Sequence, residues 1–147
     1  MTATWEDIVT IISKLAIAAS LATALTSVSI AQDNLNGLTV GFSQIGSESG
    51  WRAAETSVTR QEAEARGVDL KFADAQQKQE NQIKAIRGFI AQGVDAILVA
   101  PVVATGWDEV LAEAKEAEIP VVLLDRGVDA SEDLYMTAVM SDQVLEG

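Results

Sequence analysis

From Leu38 onward the chain alternates short apolar runs with amphipathic stretches, and that alternation constrains the fold more than any other feature. Strand-like runs are expected at Leu38–Ser43, Asp69–Ala73, Ala96–Ala100, Val121–Leu124 and Tyr135–Met140. Helical patterns fall between them. The first covers about 50–66, with Ala54, Val58, Gln61 and Ala65 at helical spacing, and Gly67 stops it. The second covers about 80–92, with Ile83, Ile86 and Ile90 on one face and Gly93 as its stop, after a Gln-rich turn at Gln76, Gln77 and Gln79. The third covers about 107–118 and ends before Pro120. The run Ala96–Ala100 is apolar at every position, as expected of a central parallel strand covered on both faces. Strands alternating with helices in this way imply an α/β fold, a doubly wound parallel sheet with right-handed crossovers.

The first 31 residues are of a different kind. Lys14 precedes an Ala-rich apolar run, Leu15–Leu25, and Ser29-Ile30-Ala31 is a small-x-small pattern. These are the marks of a secretory signal peptide cleaved after Ala31, and the run is shorter than the ~20 residues that span a bilayer. Glu6 and Asp7 depart from the positive leader usual at this place, which leaves a different start or an uncleaved anchor as alternatives. The expected organisation is a signal helix at 1–31, a short polar lead-in at 32–37, and one domain at 38–147. The sequence ends just as Ser141-Asp142-Gln143-Val144-Leu145 begins to read as a capped helix, so a longer protein is expected.

Composition excludes several functions. With no Cys and no His, disulfides, thiol nucleophiles, Ser-His-Asp triads and Cys/His zinc sites are ruled out. Twenty-two acidic against ten basic residues give a net charge of −12, which opposes binding to a polyanion, so no nucleic-acid partner is expected. No loop of alternating acids suggests calcium, and no metal or cofactor is expected.

Two clusters follow strand-like runs, where an open α/β sheet presents its ligand crevice. After the first run comes Gly46-Ser47-Glu48-Ser49-Gly50-Trp51-Arg52, and the fourth ends in Asp125-Arg126. The first loop is not a phosphate loop. Its glycines have the wrong spacing, no Lys-Ser or Lys-Thr follows, and Glu48 would repel a phosphate. Ser47 or Ser49 could simply cap the next helix. Trp51 reads either as core or as an aromatic plate for a ligand, and Arg52 either as a surface charge or as a donor. Asp125 and Arg126 read either as structural partners or as groups that accept from and donate to adjacent hydroxyls. Trp107 reads either as a further residue facing the cleft or, the expected reading, as packing helix against sheet, and Glu109, Glu113 and Glu116 are expected to form a solvated face.

Four stretches carry a resemblance: Leu38–Gln44 with Gly46–Glu55, Gln76–Ala85, Ala100–Trp107, and Ile119–Val121 through Leu124-Asp125-Arg126. In these the chain resembles the first lobe of the periplasmic sugar-binding proteins of ABC importers, of the ribose and galactose type, and is nearest to the galactofuranose-binding members. The resemblance implies two α/β lobes joined by a hinge, with a sugar bound between them and a membrane permease as partner. It implies that Asp125 and Arg126 hydrogen-bond sugar hydroxyls and that Trp51 and Arg52 belong to the first ligand loop, with Glu48 and Ser47 as further ligand residues there. It also implies a monosaccharide ligand, a furanose or similar sugar, and a periplasmic location. The hinge and second lobe have no counterpart in this sequence, so one lobe alone is expected to bind weakly or not at all.

Three function classes are open. An extracytoplasmic sugar-binding subunit agrees with the leader and the two clusters. The ligand-sensing lobe of a repressor-type regulator uses a similar fold but requires a basic helix-turn-helix, and residues 1–37 hold one Lys and no Arg. An enzyme on this sheet has no activated nucleophile to work with, so no catalytic residue is expected.

Overall fold

The computed structural model describes residues 35–140. The expected signal peptide and the helix start at 141–147 lie outside them. The elements are β1 (Thr39–Gln44), α1 (Gly50–Arg66), β2 (Asp69–Asp74), α2 (Gln79–Gln92), β3 (Ala96–Val99), α3 (Asp108–Glu116), β4 (Val121–Leu124), a 3₁₀ turn (Glu132–Leu134) and β5 (Thr137–Val139). All strand pairs are parallel, and the order across the sheet is β2-β1-β3-β4-β5. The expected α/β sheet is therefore present. Chain direction across the sheet reverses between β1 and β3, which opens a crevice at the carboxyl ends of those strands.

Helix stops follow the sequence signals. Gly67 takes φ 74° and its N–H caps α1, and Gly93 does the same for α2. The last strand is shorter than expected, Thr137–Val139 rather than Tyr135–Met140. The 3₁₀ turn consumes the approach, and Met136 N–H reaches back to the Val121 carbonyl before the ladder begins.

The main core cluster lies on one face of the sheet, with Phe42 the fully buried apolar side chain of the other. Strand alternation sends Ile97, Val99, Val121 and Leu123 toward α2 and α3, where Ile86, Phe89, Val110, Leu111 and Ala114 meet them. Each of these side chains larger than Ala114, fully buried, contributes roughly 1.5–3 kcal/mol. The opposite face carries α1 alone among the described residues. Leu98 is only partly buried there, so β3 is not sealed on both faces.

The inward stripe of α1 also differs from the expected one. Ala54, Gln61 and Ala65 are exposed, and Val58 is 58% exposed, whereas Glu55, Thr56, Thr59 and Ala63 are partly buried. Polar contacts decide the rotation. Gln44, buried at the end of β1, donates to Glu55 at 2.8 Å and to Thr56 at 3.3 Å, and Arg60 lies 4.2 Å above the Phe72 ring.

Candidate functional site

The β1–α1 loop leaves the sheet through Ile45 and Gly46 and enters α1 at Ser49. Ser49 Oγ accepts from the Arg52 N–H at 3.2 Å, so Ser49, not Ser47, is the cap. Ser47 remains exposed beside the crevice. Trp51 occupies the first turn of α1 with 64% of its surface exposed, which excludes the core reading of this residue. Arg52 folds down beside it with its side chain only 14% exposed, and its Nε lies 3.3 Å from the Glu48 carboxylate. The Nε–H is not aimed along that contact and has no hydrogen-bond acceptor.

At the end of β4, Asp125 has φ 67°, and the Arg126 N–H turns back to the Leu124 carbonyl at 2.7 Å. This is a γ-turn in the left-handed region, which a non-glycine residue adopts at a cost of about 1–3 kcal/mol and which clusters at ligand sites. The Asp125 N–H is held by the Val139 carbonyl at 3.0 Å. Arg126 Nε lies 3.6 Å from the Asp125 carboxylate, with the two side chains 47% and 23% exposed.

All six sequence-predicted residues thus follow the carboxyl end of a strand in one parallel sheet. The structure brings four of them together as two pairs, Glu48 with Arg52 and Asp125 with Arg126. The pairs do not touch one another. They belong to β1 and β4, which β3 separates, a span of about 10 Å at ordinary strand spacing.

Several residues that shape this rim carried little sequence signal. Gln76 and Gln77 have φ 53° and 60°, and with Gly46, Ser47, Glu48 and Asp74 they line a polar cleft of about 300 Å³. Gln77 N–H donates to the Ile45 carbonyl at 2.7 Å, tying the two loops. The β3–α3 loop is held from α2. Fully buried Gln82 donates to the Ala100 carbonyl at 2.7 Å and accepts from the Val102 N–H at 2.8 Å, while Gln79 donates to the Thr105 carbonyl at 2.6 Å. Trp107 is fully buried against the core, as expected, and its indole N–H donates to the Val103 carbonyl at 2.8 Å. The Gln-rich run suggested a turn, but not that individual amides would brace a neighbouring loop. A larger hollow of about 380 Å³ lies at the opposite end of the strands, lined mainly by Ile119, Pro120, Leu134, Tyr135 and Met136. It holds none of the predicted site residues.

Residues 40–144 match the family described as "Periplasmic binding protein domain". The chain belongs to that family. It is 62% identical over 135 residues to the galactofuranose-binding protein YtfQ of Escherichia coli (strain K12), covering 91% of this chain and 41% of that protein. It is also similar to a crystal structure of a galactofuranose binding protein, at 71% identity and TM-score 0.73 over 74% of this chain and 37% of that one. A third relative is the periplasmic binding component of the arabinose ABC transporter from Shewanella sp. ANA-3, bound to α- and β-L-arabinofuranose. The similarity there is 65% identity and TM-score 0.69, over 71% of this chain and 35% of that one. The chain therefore spans about two fifths of the length of YtfQ. These relatives are named as sugar-binding proteins, one of them a component of an ABC transporter, and they do not favour the regulator alternative.

Proposed function

We propose that this chain supplies one lobe of a sugar-binding subunit of an ABC importer, and that the rim of its sheet forms half of a furanose pocket. In this reading Trp51 stacks on the apolar face of the ring. Asp125 accepts from two adjacent hydroxyls, and Arg52 and Arg126 donate to ring and hydroxyl oxygens, with Glu48 and Ser47 completing the first loop. No bond is made or broken. A second lobe would cover the other face of the sugar, and the closed form would dock on a membrane permease. Delivery to the periplasm through the leader at 1–31 belongs to the same reading.

The observation that carries it is an indole left 64% exposed on the same rim as a carboxylate held in a left-handed turn. Neither arrangement stabilises the free lobe, because an exposed Trp forgoes burial and a positive φ at Asp125 is strained.

The test joins this lobe to the remaining length of the Escherichia coli relative and titrates the two-lobed protein with pentoses and hexoses by tryptophan fluorescence. Binding is expected, and Asp125→Ala should weaken it about tenfold or more, the usual loss for hydrogen bonds to a charged group. Asp125→Gly should weaken binding as much while leaving the turn unstrained, which separates lost chemistry from lost structure. An Asp125→Ala protein that binds as the parent does removes this residue from the site.

A further inference from the structure

The β1–α1 loop has the parts of an anion site: a turn with a glycine, a helix amino terminus and an arginine. The place is already filled by a charge from the chain itself. A Cβ at Gly46 would overlap the Glu48 carboxylate, so that carboxylate lies folded over the loop in space that only glycine leaves open. The same carboxylate is 3.3 Å from Arg52 Nε. Arg52 has no hydrogen-bond acceptor for its side chain among the described residues, and Glu48 is its one ionic partner there.

We infer that Glu48 is a built-in anion that masks Arg52 and sets the charge selectivity of the proposed pocket, with Gly46 as the residue that makes room for it. This rests on the sugar-binding reading above and assigns Glu48 a positioning role through Arg52 in addition to its place on the ligand loop. With the carboxylate in place, Arg52 presents hydrogen-bond donors without a net positive field, which suits a neutral sugar. An anionic sugar entering the same space meets a like charge at close range, which disfavours it. Removing the carboxylate uncovers both Arg52 and the amino terminus of α1.

The lobe joined to the remaining length of the Escherichia coli relative can be tested by NMR, by following the Trp51 indole N–H and the Arg52 Nε–H during titration with galactose and with galacturonate. In the parent, galactose is expected to act at the lower concentration. In Glu48→Gln, galacturonate should gain on galactose by about three- to fivefold, the equivalent of one partly exposed ion pair. Gly46→Ala, which displaces the carboxylate without removing it, should move the ratio the same way, and Arg52→Met should abolish the effect of Glu48→Gln. A ratio that stays at the parent value while galactose still binds overturns the inference and leaves the site reading standing. A Glu48→Gln effect that persists in Arg52→Met also overturns it, since Glu48 would then act directly. No response of Trp51 to either sugar overturns this inference and the site reading together.

Discussion

The two faces of the sheet are built by different means. Toward α2 and α3, the side chains of Ile97, Val99, Val121 and Leu123 close against Ile86, Phe89, Trp107, Val110 and Leu111, with 5% exposure or less at each. Toward α1, Phe42 is fully buried against Phe72, but Val40, Leu98, Val122 and Leu124 are only partly covered, and α1 itself has no buried residue. That helix is set instead by the Gln44 amide and by Arg60 on Phe72. The difference separates stability from placement. Apolar packing is strong but weakly directional, whereas a buried amide fixes an angle and contributes only about 1 kcal/mol net. The helix that presents Trp51 and Arg52 is therefore aimed by polar contacts, while the molecule is held together on the other side.

One substitution on each face tests this most severely. Trp107→Ala should cost about 3–5 kcal/mol, because it empties the centre of the core and removes the bond to the Val103 carbonyl. Val58→Ala, on the exposed side of α1, should change stability by less than about 0.5 kcal/mol. Urea unfolding midpoints read both, and comparable losses would mean that the faces are energetically alike. A smaller effect of a different kind is expected from Gln44→Leu. It should cost about 1–2 kcal/mol globally while raising amide exchange in α1 far more than in α2 or α3. Uniform exchange would deny the amide its role as a latch.

The same contrast explains what the sequence revealed. The α2 and α3 side was legible, because Ile83, Ile86 and Ile90 recur at helical spacing and a continuous apolar run marks β3. The α1 side is not legible in this way, because apolar spacing points to Val58 whereas the inner stripe runs through Glu55, Thr56 and Thr59. Hydrophobic periodicity cannot report a helix held by an amide. At the rim, the strand-end positions of Trp51 and Asp125 were readable from the order of elements alone. The backbone turn at Asp125 and the fold of Glu48 over Gly46 were not, since φ and side-chain direction leave no periodic trace. Of the acidic run on α3, Glu109 and Glu116 are exposed as expected, but Glu113 is half-buried, and the pairing of the run was not legible. Arg87 on α2 reaches Glu113 at 2.6 Å and Glu109 at 3.0 Å.

Strain is also divided between the two ends of the strands, and one substitution exploits this. Glu118, at the turn from α3 into β4, has φ 59° and sits far from the rim, while Gln76, Gln77 and Asp125 carry the positive φ values at the rim. The turn after α3 closes with Glu118 N–H on the Lys115 carbonyl and Ile119 N–H on the Ala114 carbonyl, the bonding that usually places glycine in the left-handed position. Glu118→Gly should therefore stabilise the lobe by up to about 1 kcal/mol, helped by removing a negative charge from a helix carboxyl end. Thermal unfolding measures the gain, and a loss would show that the Glu118 side chain makes a contribution greater than its strain.

The smallest effect lies on the surface of the well-packed face, where Arg87 bridges α2 and α3. Its hydrogen bonds hold the Glu113 carboxyl below its usual range, and Lys115 with Ser131 does the same for Asp133. Both carboxyl values are lower in the folded state than in the unfolded one. Their contribution is thus complete above the ordinary carboxylate range near pH ~4 and is lost as pH falls through the folded values. The Arg87 guanidinium, raised by the same contacts, stays charged throughout. Between pH 6 and pH 3, Arg87→Met should flatten the fall of the urea midpoint relative to the parent, and high salt should shrink the difference between the two proteins. Identical pH profiles would mean that this bridge adds nothing to the side of the sheet that already holds the fold, and that apolar packing alone joins α2 to α3.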